Sequence, residues 1–223
     1  MAGVARAGES GMNRNVNADH QTLMRIAIAE AERARGATGD NPWVGCVIVA
    51  ADGRTLGRGH TQGPGEDHAE IGALRDATDH GRDVVGATMY STLEPCSFHG
   101  RTPACSRVII DRGIGRIVIG MRDPHPRVDG EGARILQEAG VEVIESVCEE
   151  DVRRQLGAWV LAHHPHEPRR RARALAEELG SHAVVAALMD IYGTDRAGAE
   201  SVVRSARTRG PTTSKRSTES TSS

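Results

Sequence analysis

The sequence predicts an α/β domain in which a mixed sheet of about five strands lies between two layers of helices. Short apolar runs rich in β-branched residues, typical of buried strands, alternate with segments whose apolar residues recur at helical spacing. Asp52-Gly53 is a hairpin signal between the first two runs. Aromatic residues make up only 2% of the chain, so the core has to be built from Val, Ile, Leu and Ala. A hairpin followed by alternating helices and strands gives a sheet with helices on both faces.

The first helix and the hairpin are predicted within residues 18–60. Apolar residues recur at helical spacing through 18–35, with Asp19 as the N-cap, and the turn cluster GATGDNP ends this helix. The run VGCVIVA at 44–50 predicts a buried strand, and 55–60 predicts its hairpin partner.

Helices and strands then alternate. Residues 68–78 (HAEIGALRDAT) predict a helix and 87–93 a strand. Thr102 can cap a helix over 102–112, because Pro103 suits its first position. The run RIVIGM at 116–121 predicts a strand, 129–138 a helix that stops at Gly140, 141–146 a last strand, and 148–162 a closing helix.

The two ends of the chain differ in composition from residues 18–162. Residues 1–17 are polar and predicted to be disordered, as are the Ser/Thr-rich residues 209–223. His163-His164-Pro165-His166-Glu167-Pro168 is interpreted as a linker rather than a metal site, and 169–208 as two or three short helices. We interpret the arginine-rich run 169–173 as a solvated helix face.

Composition excludes several functions. The formal net charge is −2 and the sequence pI is about 6.6, which gives no electrostatic footprint for nucleic acid. The N-terminus lacks the apolar region of a signal peptide, and no run of about 18 apolar residues predicts a membrane span. Four cysteines in 223 residues do not make a disulfide scaffold. We therefore expect a cytoplasmic protein that binds neither membrane nor nucleic acid.

A pair of cysteines predicts a metal site. Cys96 and Cys105 flank a turn rich in Gly and Pro, and Cys105 lies at a predicted helix start. A helix N-terminus lowers the pKa of a thiol, which favours the thiolate that zinc requires. His68, also at a predicted helix start, is the candidate third ligand. One histidine and two cysteines leave a coordination position open for water, as catalytic zinc sites do.

Glu70 is the candidate catalytic residue. It follows His68 by two residues, and in the H-x-E signature of zinc deaminases the glutamate moves protons without binding the metal. His68-Ala69-Glu70 and Pro95-Cys96 match that signature, but eight residues separate the two cysteines instead of two. Cys46 and Cys148 are interpreted as small buried residues.

Four ordered motifs carry a resemblance to a known family. They are Asn41-Pro42-Trp43-Val44-Gly45-Cys46, His68-Ala69-Glu70, the loop from Cys96 to Cys105 with Gly100-Arg101-Thr102-Pro103, and Asp123-Pro124-His125-Pro126-Arg127-Val128-Asp129-Gly130. Over residues 19–162 the chain resembles the deaminase domain of bifunctional riboflavin-biosynthesis deaminase/reductases. The resemblance implies a three-layer α/β/α cytidine-deaminase-like fold, a Zn²⁺ cofactor and release of ammonia from a diamino-pyrimidinone ribosylamine phosphate. It also implies a homo-oligomer.

The resemblance implies roles for individual residues. The implied zinc ligands are His68, Cys96 and Cys105, and Glu70 is the implied proton-transfer residue. Asn41 matches the asparagine that hydrogen-bonds the substrate, Arg101 lies near the phosphate, and Asp123 lies near the ribose. Simpler interpretations remain open, since Asn41 precedes a proline and can be a turn residue, and Arg101 can be a surface charge.

Three positions depart from the family pattern, all on the substrate side. Phe98 replaces a histidine, with His99 one step later; His125 replaces an asparagine; and Thr61 stands where many members have a histidine. Phe98 is either a core residue or a surface for a flat ring, and His99 and His125 are either substrate contacts or exposed loop histidines. The departures leave open a relative that acts on another amino-heterocycle or nucleoside.

Two further functions agree less well with the sequence. A non-catalytic zinc module would have no need of Glu70, and a nucleic-acid deaminase should have a basic, aromatic surface. The residues after Pro165 are too few for a dinucleotide-dependent reductase and contain no Gly-rich phosphate loop. We therefore expect a stand-alone zinc-dependent hydrolase.

Overall fold

The computed structural model describes residues 9–98, 103–126, 128–164, 166–179 and 181–207, with the backbone alone for 9–18, 181 and 182. Its centre is a five-stranded sheet in the order β2-β1-β3-β4-β5. The strands are β1 (Gly45–Val49), β2 (Thr55–His60), β3 (Thr88–Leu93), β4 (Arg116–Met121) and β5 (Glu142–Ile144). Pairing is antiparallel for β1 with β2 and with β3, and parallel for β3 with β4 and β4 with β5. The predicted mixed sheet is confirmed.

Helices cover both faces of the sheet, which makes three layers. On one face lie α1 (Glu9–Ala31), continued by a 3₁₀ turn (Glu32–Ala34), and α5 (Glu149–His163). On the other lie α2 (Ala69–Asp79), α3 (Cys105–Asp111) and α4 (Glu131–Glu138). Alternate strand residues serve the two layers: Val47 packs towards α1, whereas Ile48 packs towards α2.

Helix α2 lies unusually close to strand β2. A Cβ atom on Gly59 would lie 2.3 Å from the backbone oxygen of Ala69, so only glycine fits at this crossing. The approach fixes the first turn of α2 over the end of β2. That turn begins at the N-cap residue His68 and includes Glu70.

Two helix starts differ from the sequence-based expectation. Helix α1 begins at Glu9 instead of 18, so Asp19 lies inside the helix and the prediction of disorder is wrong for residues 9–17. A helix anchored by packing propagates cheaply, and 9–31 contains no proline to stop it. Helix α3 begins at Cys105 with Ala104 as N-cap, later than predicted. Residues 1–8, Thr102 and the predicted disordered tail from 209 lie outside the described residues.

The segment interpreted as a linker is largely helical. Helix α5 runs to His163, and α6 (His166–Leu179) begins three residues later. Pro168 lies in the first turn of α6, where its missing N–H costs no hydrogen bond. Two more helices follow, α7 (Ser181–Tyr192) and α8 (Arg196–Arg207).

The C-terminal helices pack directly on α5. A Cβ atom on Gly157 of α5 would lie 2.5 Å from the Cα and backbone oxygen of Tyr192, so the two helices touch at backbone distance. Next to this crossing, buried Glu167 accepts hydrogen bonds from Arg153 and from the Tyr192 hydroxyl. In the described part of the chain, no helix is both long and apolar enough to cross a bilayer.

Candidate active site

A cavity of about 340 Å³ opens where β3 and β4 end. The carboxyl ends of parallel strands meet at one edge of a sheet, so the loops that follow β3 and β4 converge there. The loop at 40–44, the first turn of α2 and the end of α5 complete the wall. The volume is at the lower end of the range for small-molecule sites.

The three predicted metal ligands come together at the base of this cavity. His68 Nδ1 lies 3.3 Å from Cys105 Sγ and 3.7 Å from Cys96 Sγ, and all three ligand atoms lie within 4.8 Å of one another. Among the described residues, this is the one group of three or more His, Cys, Asp or Glu side chains arranged to hold a metal ion. One imidazole nitrogen and two sulfurs are a donor set that suits zinc and leaves room for water.

The local environment favours thiolate at Cys96. Hydrogen bonding from the Cys105 thiol, supported by His68 and by the Cys105 backbone N–H at 3.2 Å, lowers the pKa of the Cys96 thiol to about 4. The hydrogen bond to Cys96 in turn raises the pKa of His68 to about 9. A divalent cation held by these ligands would displace their shared protons, because thiolate and neutral imidazole are the coordinating forms.

Glu70 lies beside the ligands and is 4% exposed. Burial raises the pKa of its carboxyl to about 6, against the opposing effect of His68. A carboxyl group with a pKa near neutrality can both accept and return a proton. The first turn of α2 therefore carries a metal ligand and a proton carrier two residues apart.

Glu94 is a buried acid that the sequence analysis did not single out. It accepts the backbone N–H groups of Gly130 (2.9 Å), Ala133 (3.2 Å) and Asp123 (3.3 Å), and is 3% exposed. It thereby stabilises the start of α4 and ties the loop after β4 to the end of β3. An acid directly after an apolar strand and before Pro95 was the available signal.

The structure brings most of the predicted substrate-side residues to the same cavity. Asn41, Phe98, Asp123 and His125 line it together with His68, Glu70 and Cys96. Desolvation raises the pKa of Asp123 to about 6, and its carboxylate accepts the His125 backbone N–H at 2.8 Å. His99 and Arg101 lie outside the described residues.

Two of these positions have particular surroundings. The loop of Asn41 is held by Thr38, whose hydroxyl donates to the Asn41 carbonyl at 2.6 Å. Thr61 also lines the cavity, and its hydroxyl accepts the Val44 backbone N–H at 3.1 Å. A histidine at position 61 would lose this hydrogen bond, so the threonine also has a structural role in holding the backbone at Val44.

The end of α5 contributes a wall that the sequence analysis missed. Trp159, His163 and His164 line the cavity, the last two within the segment interpreted as a linker. No local pattern identifies them, because their position depends on how α5 packs against the sheet and against α7.

Comparison with known proteins shows what the chain is similar to. The family model for the cytidine and deoxycytidylate deaminase zinc-binding region matches residues 17–121. The riboflavin biosynthesis protein RibD of Escherichia coli (strain K12) is 51% identical over 120 residues, which cover 54% of this chain and 32% of the relative. The chloroplastic protein PYRD of Arabidopsis thaliana is 46% identical over 136 residues, covering 61% of this chain and 31% of the relative. The chain thus spans about a third of the length of these curated relatives.

Solved structures agree in fold. The diaminohydroxyphosphoribosylaminopyrimidine deaminase/5-amino-6-(5-phosphoribosylamino)uracil reductase of Thermotoga maritima superposes with a TM-score of 0.61 at 42% identity, covering 65% of this chain and 41% of the other. The Rib2 deaminase of Aspergillus oryzae superposes with a TM-score of 0.52 at 24% identity, over 67% and 94% of the two chains. The predicted three-layer fold is confirmed. Residues 17–121 thus match the family model of the cytidine and deoxycytidylate deaminase zinc-binding region, and the chain is similar over about its first two thirds to the deaminase part of riboflavin-biosynthesis proteins.

Proposed function

We propose that the protein is a zinc-dependent hydrolase that removes an exocyclic amine from an aminopyrimidine ribosyl phosphate and releases ammonia. The observation that carries this proposal is the buried carboxyl of Glu70 in the same cavity as His68, Cys96 and the neighbouring Cys105. A purely structural metal site has no use for a buried acid of pKa about 6 that opens onto a cavity of substrate size.

The chemistry divides between the metal and Glu70. A zinc ion held by these ligands supplies Lewis acidity, which lowers the pKa of water towards about 7. The Glu70 carboxylate takes a proton from the attacking water and delivers it to the ring nitrogen beside the amine-bearing carbon. It then transfers the second water proton to the exocyclic nitrogen, the carbon–nitrogen bond breaks, and ammonia leaves. The ring keeps the water oxygen as a carbonyl group, so atoms and charge balance.

The remaining cavity residues bind and orient the substrate. Asn41 hydrogen-bonds the heterocycle, Asp123 the ribose, and Phe98 and His125 border the ring. His99 and Arg101 belong to the loop between the two cysteines, and Arg101 pairs with the phosphate, a task that suits a guanidinium group. Support for a riboflavin-type substrate is the identity to RibD proteins and the name of the Thermotoga maritima enzyme.

An ammonia-release assay tests the proposal. Zinc-loaded protein is given the diaminohydroxyphosphoribosylaminopyrimidine, cytidine, cytidine 5′-phosphate and cytosine, and we expect turnover of the first. Glu70→Gln should keep zinc and fold while activity falls by about 10²-fold or more. Glu66→Gln, an exposed glutamate four residues upstream and outside the cavity, is the matched control and should keep full activity. Retained activity in Glu70→Gln would remove Glu70 from the mechanism, and no ammonia from any compound would favour a non-catalytic zinc module.

One observation favours a second candidate within the same chemistry. The three departures from the family pattern, at Thr61, Phe98 and His125, all line the cavity. They change hydrogen-bond donors and acceptors, on which discrimination between substrates depends. A deaminase of another amino-heterocycle or nucleoside would leave the riboflavin intermediate untouched and turn over another compound in the assay.

We also propose a cytoplasmic location and a homo-oligomer. All four cysteines are free in the structure, and thiolate ligands need a reducing compartment. Light scattering of the zinc-loaded protein gives the number of chains, and a mass of one chain would contradict the second proposal.

A further inference from the structure

We propose that His164 is a substrate-contacting residue that determines specificity, and that with Trp159 it forms a wall selecting amino-heterocycles that carry a sugar. This inference rests on the proposed deaminase function and adds to it a determinant that lies beyond the family-matched region 17–121. The wall is defined by five rings, those of Phe98, His125, His164, Trp159 and His163.

The five rings form a continuous series of neighbours. Neighbouring ring centroids are 5.9 Å apart for Phe98 and His125, and 5.7 Å for His125 and His164, which meet edge to face. The series continues with 4.7 Å between His164 and Trp159, and 5.7 Å between Trp159 and His163, which are stacked. All five residues line the cavity that contains His68 and Glu70.

Core packing accounts for Trp159, which is 6% exposed and belongs to the core, but not for the rings of Phe98 and His164. The chain contains one Phe, two Trp and two Tyr, and the Phe and one Trp lie in this wall. Phe98 is 38% exposed, and His164 is only half-buried at the end of its helix. Ring faces that border a cavity of substrate size stack readily on flat heterocycles.

The end of α5 is held in place from two sides. The Trp159 indole N–H donates to the Asp40 carbonyl at 2.8 Å, which ties the wall to the loop of Asn41. Two residues before Trp159, Gly157 touches the Tyr192 backbone, so α7 supports the same stretch of helix from behind. The His164 backbone N–H donates to the Val160 carbonyl at 2.8 Å, which closes the helix. The His164 ring is therefore presented by a rigid element.

The chemistry of His164 points to a hydroxyl-bearing ligand. Burial, together with the neighbouring His125 and His163, lowers its pKa, so the imidazole is neutral at neutral pH. Within the described residues, its ring nitrogens have no hydrogen-bond partner. A neutral imidazole offers one donor and one acceptor, which matches sugar hydroxyls better than a phosphate. The metal and Glu70 hold the amine-bearing carbon and Phe98 and His125 border the heterocycle, which leaves the His164 end of the wall for the sugar-bearing part.

Kinetics of the full-length, zinc-loaded protein test the assignment. His164→Ala should raise KM for the diaminohydroxyphosphoribosylaminopyrimidine about 10-fold, the loss of about one hydrogen bond with some stacking, while kcat stays within about 3-fold. The matched control is His80→Ala, since His80 caps the C-terminus of α2 as His164 caps α5 but lies outside the cavity. An unchanged KM in His164→Ala, or an equal change in His80→Ala, would overturn the proposal.

A binding measurement separates this proposal from the proposed function. In a Trp43→Phe background Trp159 is the one remaining tryptophan, and Glu70→Gln prevents turnover. The same ribosylated pyrimidine should quench Trp159 fluorescence, and His164→Ala should shift the midpoint about 10-fold. If the pyrimidine quenches Trp159 but the protein with Glu70 intact releases no ammonia, only the proposed function is contradicted. Ammonia release without quenching, or quenching insensitive to His164→Ala, would overturn the specificity wall alone.

Discussion

The substitution Tyr192→Phe tests whether the C-terminal helices are part of the folded deaminase region. Tyr192 is 1% exposed, and its hydroxyl donates to Glu167, which is also paired with the buried Arg153. A buried hydrogen bond to a charged group contributes about 1.5–3 kcal/mol. Removing the hydroxyl should lower the free energy of unfolding by that amount, because phenylalanine fills the same space without donating.

The second tyrosine of the chain is a matched control. Tyr90 is 3% exposed, and its hydroxyl bonds His20 Nδ1 at 2.9 Å. Burial lowers the pKa of His20, so at pH 7.5 this is a bond between neutral groups, which contributes about 0.5–1.5 kcal/mol. Tyr90→Phe should therefore cost less than Tyr192→Phe, although both remove one buried hydroxyl.

Urea unfolding of the zinc-saturated variants at pH 7.5 measures both free energies. The dependence on urea concentration should be unchanged, so that the shift in midpoint reports stability alone. In thermal unfolding, each kcal/mol lowers Tm by about 2–4 °C in a chain of this size. Equal losses, or a larger loss for Tyr90→Phe, would refute the charged-acceptor argument. A loss near zero for Tyr192→Phe would show that α7 is not held as described.

Three further outcomes follow from the geometry. Gly157→Ala should lower the free energy of unfolding by about 1–2 kcal/mol, because overpacking against the Tyr192 backbone exceeds the gain in helix propensity. Gly72→Ala is the control: its Cβ would meet nothing closer than 3.5 Å, so the substitution should be neutral or stabilising in the same urea assay. The pKa of Asp123 is raised to about 6, so the native state binds this proton more tightly than the unfolded state, and stability should fall as pH rises from about 4 to 6. Asp123→Asn should remove that fall. In urea unfolding at pH 7.5 the variant should be more stable than wild type by roughly 2–3 kcal/mol. Chelation should abolish ammonia release and lower Tm, and zinc at 100 times its Kd should restore about 2.7 kcal/mol by calorimetry.

Local patterns predicted the sheet well and singled out three candidate metal ligands that the fold places together. The bounds of β2 and β4 match the expected 55–60 and 116–121, because a hairpin signal and an apolar β-branched run act locally. His68, Cys96 and Cys105 were found from residue type and spacing, since zinc demands particular donors at chain positions that a helix start and a strand end can bring together.

Features that depend on tertiary packing were not predicted. Helix α1 extends to Glu9, well before the expected N-cap, because helix propagation overrides a weak capping signal. The role of Glu94 depends on the tertiary fold, because its carboxylate accepts backbone N–H groups from the start of α4, far along the chain. His164 lies in a segment of histidines and prolines whose composition is typical of a linker, and the crossing of α5 and α7 at Gly157 brings it to the cavity.

The cavity therefore has two halves with different origins in the chain. The half that holds the metal and Glu70 comes from residues 68–105, inside the family-matched region, and is expected to govern kcat. The second half is made by Trp159 and His164, which lie beyond that region on a helix that packs against α7 at Gly157. Because an interaction made equally with substrate and transition state changes KM and leaves kcat alone, substitutions in the second half should alter substrate choice without altering the reaction.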